Sequence, residues 1–195
     1  MEQPGPLAVL RRVLGKGEIR ALSRRYFVAN SFDGVLTSIG IIIGGYLSGI
    51  HEPTTLIAIG LGAAVGLGIS GIWSVWEIER AETSRIQAEL EQAMLTSLED
   101  TRLERNQRYT QLVLAISAGA GPVIAIVVTL IPFFFVDPGL TITQGVLLSI
   151  GCGIALLGSI GAYMGFISKQ RWYVAAVRMA LAGIVVAIIS IFLPG

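Results

Sequence analysis

Asp33 heads a long run of apolar and small residues, "FDGVLTSIGIIIGG", and is the only acidic residue inside the five apolar stretches of the chain. An ionised side chain at the bilayer centre costs about 2.5–3.5 kcal/mol on insertion scales and less toward the interface. Such groups face a bundle interior or a wet cavity and mark ion or proton paths. The chemistry open to this carboxylate is therefore reversible binding of a cation or a proton. The competing reading is a snorkelling carboxylate paired with Arg24 or Arg25. Asn30, one turn earlier, could orient Asp33 or share a ligand.

A second set of oxygen ligands lies in "EIERAETSRIQAELEQAMLTSLEDTRLERNQRYT", residues 77–110, with eight acidic and five basic residues and neither Gly nor Pro. At about 100° per residue, Glu79, Glu82 and Glu89 fall within one third of a helix circumference, with Ile78, Ile86, Leu90 and Met94 on that same side. An amphipathic arm keeps the face toward its partner apolar, so three carboxylates there are unusual. Hard divalent cations take oxygen ligands, and clustered glutamates supply them. The alternative is a solvated face balanced by Arg80 and Arg85 through i,i+3 and i,i+4 pairs. Asp100 and Glu104 form a weaker pair among Arg102, Arg105 and Arg108.

The elements that must position these groups are membrane helices. Hydrophobic residues make up 53% of the chain and charged ones 14%, and the mean hydropathy is +0.74. A soluble domain carries more charge. A span needs roughly 20 apolar residues, and five stretches qualify, at 26–50, 54–76, 111–136, 141–167 and 174–193. The expected fold is all-α, a polytopic membrane protein with five transmembrane helices. Residues 1–25 form a cytoplasmic N-terminal segment, 26–76 helices 1 and 2, 77–110 a cytoplasmic acidic helical hairpin, and 111–195 helices 3 to 5. The hairpin is expected to turn near Leu95 to Ser97, where Thr96-Ser97 and Glu99-Asp100 resemble a capping box. The first span is too long for a signal-peptide core and lacks a cleavage site.

All fourteen lysines and arginines lie before span one, between spans two and three, or around the link between spans four and five. The positive-inside rule then puts the N-terminus in the cytoplasm and the C-terminus outside. Two overlapping G-x-x-x-G pairs, Gly40/Gly44 and Gly45/Gly49, with Gly62/Gly66/Ser70 and Gly161/Gly165, allow close helix approach or dimerisation. Pro122 and Pro132 predict kinks in span three. The single cysteine, Cys152, reads as a small packing residue. An enzyme is not indicated: His51 is the only histidine, set in an outer turn, and no serine or cysteine has a plausible base beside it.

The stretch around Asp33-Gly34 resembles the first-span signature of the vacuolar iron transporter family, and the five spans and glutamate-bearing insert agree with it. The resemblance implies a homodimer whose first spans meet along a path between protomers. It also implies outward movement of divalent iron, Fe²⁺, and often manganese, Mn²⁺, in exchange for protons. Asp33 then matches the family's membrane aspartate, Glu79 and Glu82 match an E-x-x-E on the extension of span two, Glu89 continues that face, and Met94 stands for a thioether ligand. Where the family usually carries a methionine in span two, this chain offers Ser70 and Gly71 in "GISGIW", and its insert has room for a hairpin rather than three helices.

The transport-path candidates are thus Asp33, Asn30 and Ser70, and the metal-binding candidates Asp33, Glu79, Glu82, Glu89 and Met94. No resident cofactor is expected, since the metal is the cargo. The expected partners are divalent metal ions, the lipid bilayer and a second copy of the chain, with no nucleic acid, in a prokaryotic plasma membrane. A passive cation channel, or a non-transporting structural or regulatory protein with a partner-docking hairpin, remains the alternative.

Overall fold

The computed structural model describes residue 15 and residues 17–95, 102–137 and 139–192. Its helices are α1 (Gly17–Leu47), α2 (Pro53–Met94), α3 (Arg102–Leu130), α4 (Ile142–Ile167) and α5 (Trp172–Phe192), with a 3₁₀ turn at Ile131–Phe135 between α3 and α4. Among the described residues, five helices are long and apolar enough to cross a membrane. The chain is thus an all-helical, multi-pass membrane protein.

Local chemistry sets the helix ends. At Gly49, φ is +86°, and the Ile50 and Gly49 amides donate back to the Gly45 and Tyr46 carbonyls at 3.0 and 3.1 Å. This is the glycine-capped helix end in which the left-handed residue frees two amides for the last carbonyls. Pro53, whose missing amide is no loss in a first turn, opens α2. Thr141 and Gln144 close a reciprocal capping box at the start of α4. Span three ends its α-helix earlier than the sequence predicts. Pro132 has no amide to continue the i→i−4 ladder, so the chain tightens into the 3₁₀ turn at Ile131–Phe135.

The 42 residues of α2 extend roughly 60 Å at 1.5 Å per residue, about twice the hydrocarbon thickness. Its second half therefore projects beyond the bilayer, on the side where α1 begins and the arginines gather; we call this the basic end. α2 stops at Leu95, a non-glycine residue in the left-handed region. The expected turn at Thr96 and Ser97, with Glu99 and Asp100, lies outside the described residues.

α1 sits centrally, packed chiefly on α3 and also against α4 and α5, while α2 lies along α3 and α4 pairs with α5. One stripe of α1, with Val35, Ile39 and Ile43, meets Ala125 and Leu157, and Ile42 joins Leu56, Ile126, Leu130 and Phe133. Glycines decide where backbones approach. A Cβ on Gly161 would lie 2.5 Å from the Ala175 carbonyl oxygen, and one on Gly165 2.8 Å from Trp172 Cα, so this G-x-x-x-G pair is spent on α5. Gly44, Gly62 and Gly66 have no such neighbour within 4 Å. Their stripes remain uncovered in the protomer.

Candidate functional site

The first site element is the crossing of α1 and α3. A Cβ on Gly34 would sit 2.7 Å from Pro122 Cα and 2.9 Å from its carbonyl oxygen, and one on Gly121 2.6 Å from the Phe27 carbonyl oxygen. Neither backbone can yield cheaply, so glycine at 34 and 121 lets the helices touch. Ser31, Gly34, Val35 and Ser38 are all buried on that side of α1. Asp33 is 100° round the helix from Gly34, and it is exposed on the protomer surface. Among the described residues it has no hydrogen-bond or ion-pair partner. The pairing with Arg24 or Arg25 that would make it a snorkelling charge does not form.

Asn30 turns elsewhere: its Nδ2 donates to the Tyr26 carbonyl at 2.8 Å, not to Asp33. Thr37, one helical turn beyond Asp33 on the same side, is half-buried. Ser70 is exposed on α2, in line with the uncovered Gly62 and Gly66.

The second element is the projecting half of α2. Tyr26 Oη donates to Glu79 Oε1 at 2.7 Å, tying the start of the apolar part of α1 to the base of the projection. Glu79 is half-buried there. Glu82 and Glu89 are exposed and share Arg85, at 3.0 and 3.9 Å; Arg80 lies 3.9 Å from Glu77. Trp76, Thr83 and Gln87 turn toward α3, lining with Gln107 and Gln111 a polar cavity of about 420 Å³. The returning helix therefore takes a polar face of α2, and Ile78, Ile86, Leu90 and Met94 stay exposed. The carboxylate-bearing face points away from α3. Among the described residues, no three His, Cys, Asp or Glu side chains of one protomer gather as a metal site.

A model of the VIT family matches residues 73–194, from the base of the projection to the end of the last span. The chain belongs to the VIT family. It is also 27% identical over 168 residues to an uncharacterized protein of Methanocaldococcus jannaschii, covering 85% of each chain. Membership of the VIT family makes this a membrane metal-ion transporter in a lipid environment, its members being transporters rather than enzymes. The matched stretch contains Glu79, Glu82, Glu89 and Met94, and Asp33 precedes it.

Sequence reasoning passed over three features of the site. Tyr26, the partner of Glu79, carried only the signal that an aromatic hydroxyl at a span boundary seeks an acceptor. Ser38 and Thr129 form a fully buried hydroxyl pair at 2.5 Å, with Thr129 donating onward to the Ile126 carbonyl. Hydroxyls within apolar runs were the available clue. Pro122 was legible as a helix irregularity but not as the surface against which Gly34 packs.

Proposed function

We infer that the protein carries divalent iron or manganese out of the cytoplasm in exchange for protons, as a homodimer whose α1 helices flank the path. The observation that carries this reading is Asp33: a carboxylate about two turns into an apolar span, exposed, and without a partner among the described residues. A group so placed needs a second copy of the chain, water or a cation beside it. The Gly34–Pro122 contact fixes which side of α1 is sealed, and the uncovered small residues beyond Asp33 give a second copy room to approach closely. Asp33 alternates between metal and proton, which compete for the same oxygens.

Glu79, Glu82 and Glu89 gather cations at the cytoplasmic mouth, with Met94 as a softer ligand at the tip. Exposed ion pairs are worth about 0–1 kcal/mol, so a divalent cation can take Glu82 and Glu89 from Arg85. The N-terminus is cytoplasmic and the C-terminus outside, because every described lysine and arginine falls at the basic end. The setting is a prokaryotic plasma membrane.

Purified protein in liposomes tests this reading. Loading with Mn²⁺ or Fe²⁺ should drive metal flux and a matching opposite proton flux, read by a metal-quenched dye and a pH dye. Metal flux without proton movement would replace exchange by a passive channel. No flux of any cation would leave a non-transporting membrane protein.

A further inference from the structure

At the basic end, α1, α3 and α4 enclose a cavity of about 360 Å³ that none of the transport groups touches. Ligand pockets run from roughly 300 to 1,000 Å³, so this one is large enough for a headgroup fragment. Arg20 and Arg24, one turn apart on α1, line it together with Ser23, Ser117 and Tyr163, and Phe27 supplies an apolar wall. The floor is closed: the Ser23 and Ser117 hydroxyls are 2.5 Å apart, and Ser117 donates to the Val113 carbonyl. The donors left to a ligand are the Arg24 guanidinium and the Tyr163 hydroxyl. Arg24 is the telling residue. Its Nε is buried without an acceptor, and among the described residues Arg24 has no carboxylate partner. Arg20 has an interaction of its own besides, so the unmet demand centres on Arg24.

A buried donor without an acceptor is costly, and a planar guanidinium fork matches the oxygens of a phosphate group. The cavity lies where α1 leaves the apolar part of its span, with Phe27 on one wall and Tyr163 at the surface. That combination of charge, depth and apolar lining suits a phosphate that brings an acyl tail with it. We propose that this cavity binds the phosphate of an anionic phospholipid from the leaflet at the basic end, with Arg24 as its principal anchor. Basic pockets between transmembrane helices take such headgroups, and a lipid seated there wedges α1, α3 and α4 together.

The test uses the full purified chain in detergent. It is exchanged against phosphatidylglycerol or phosphatidylcholine of identical acyl chains, and retained lipid is counted by native mass spectrometry. Phosphatidylglycerol should be held about tenfold more tightly than phosphatidylcholine, with Arg24→Gln removing that preference and Arg24→Lys keeping part of it. Tyr163→Phe, which leaves the charges in place, should weaken retention by about two- to fivefold. Equal retention of the two lipids by the unmodified protein would overturn the proposal, and that measurement needs no variant to fold. Unchanged preference in Arg24→Gln would overturn it too. A competition arm separates the sources of phosphate: millimolar inorganic phosphate should leave the lipid in place, and displacement by it would assign the cavity to a soluble anion instead.

Discussion

Gly34 and Pro122 meet backbone to backbone, so close that a Cβ on Gly34 would lie 2.7 Å from Pro122 Cα. This contact settles why aspartate and glycine stand together at the head of the first span. Glycine lets α1 lie on α3, and its neighbour, about 100° further round the helix, is thereby turned out of the contact to an exposed side.

Gly34→Ala should therefore destabilise the fold. Overpacking against backbone costs about 1–3 kcal/mol, which corresponds to a Tm several degrees lower in a detergent melting assay. Gly44→Ala, with nothing within 4 Å, should melt with the unmodified protein. Equal melting of Gly34→Ala and Gly44→Ala would mean the two helices do not touch there.

Tyr26 and Glu79 should behave as one unit. Tyr26→Phe removes the donor and Glu79→Leu the acceptor of the 2.7 Å hydrogen bond, so the double variant should lose less stability than the sum of the two. A coupling of about 0.5–3 kcal/mol is expected for groups in direct contact. Strict additivity in the same melting assay would show that the bond contributes nothing.

On the projection, Glu82→Gln combined with Glu89→Gln should weaken Mn²⁺ binding by about tenfold, a loss of about 1.4 kcal/mol. Arg85→Gln should do the reverse and tighten it, because Arg85 competes for both carboxylates. Calorimetric titration of the full protein reads both. Identical affinities across the three proteins would take this face out of the metal's route.

The uncovered small residues offer a test of the dimer. Gly44→Leu adds bulk where the protomer has none, so it should leave folding intact and shift the purified protein toward monomer in light scattering. A dimer unaffected by Gly44→Leu would place the interface on another face.

Much of this was legible in the sequence, for identifiable reasons. The five spans follow from apolar length, and Asp33 stands out because carboxylates are rare inside such runs. The unpaired state of Asp33 was not legible, since Arg24 and Arg25 precede it on the same helix by about 12–13.5 Å of rise, a gap that long side chains could narrow. Periodicity told which residues of α2 share a face, but not which neighbour takes that face. Glu79, Glu82 and Glu89 do cluster angularly, yet α3 packs against Trp76, Thr83 and Gln87. Tyr26 and Glu79 are 53 residues apart, and nothing local announces a contact made by helices crossing. Pro132 shortened α3 because the missing amide acts at once on the ladder, whereas Pro122 is tolerated in the helix and serves as a packing surface.

The most direct test of the central claim is metal flux through Asp33→Asn, which keeps the size of the side chain and removes its charge. In proteoliposomes carrying equal amounts of folded protein, Mn²⁺-driven flux and its proton counterflow should both fall to the level of protein-free vesicles. Flux and coupling equal to the unmodified protein would contradict the claim that this carboxylate holds the travelling cation.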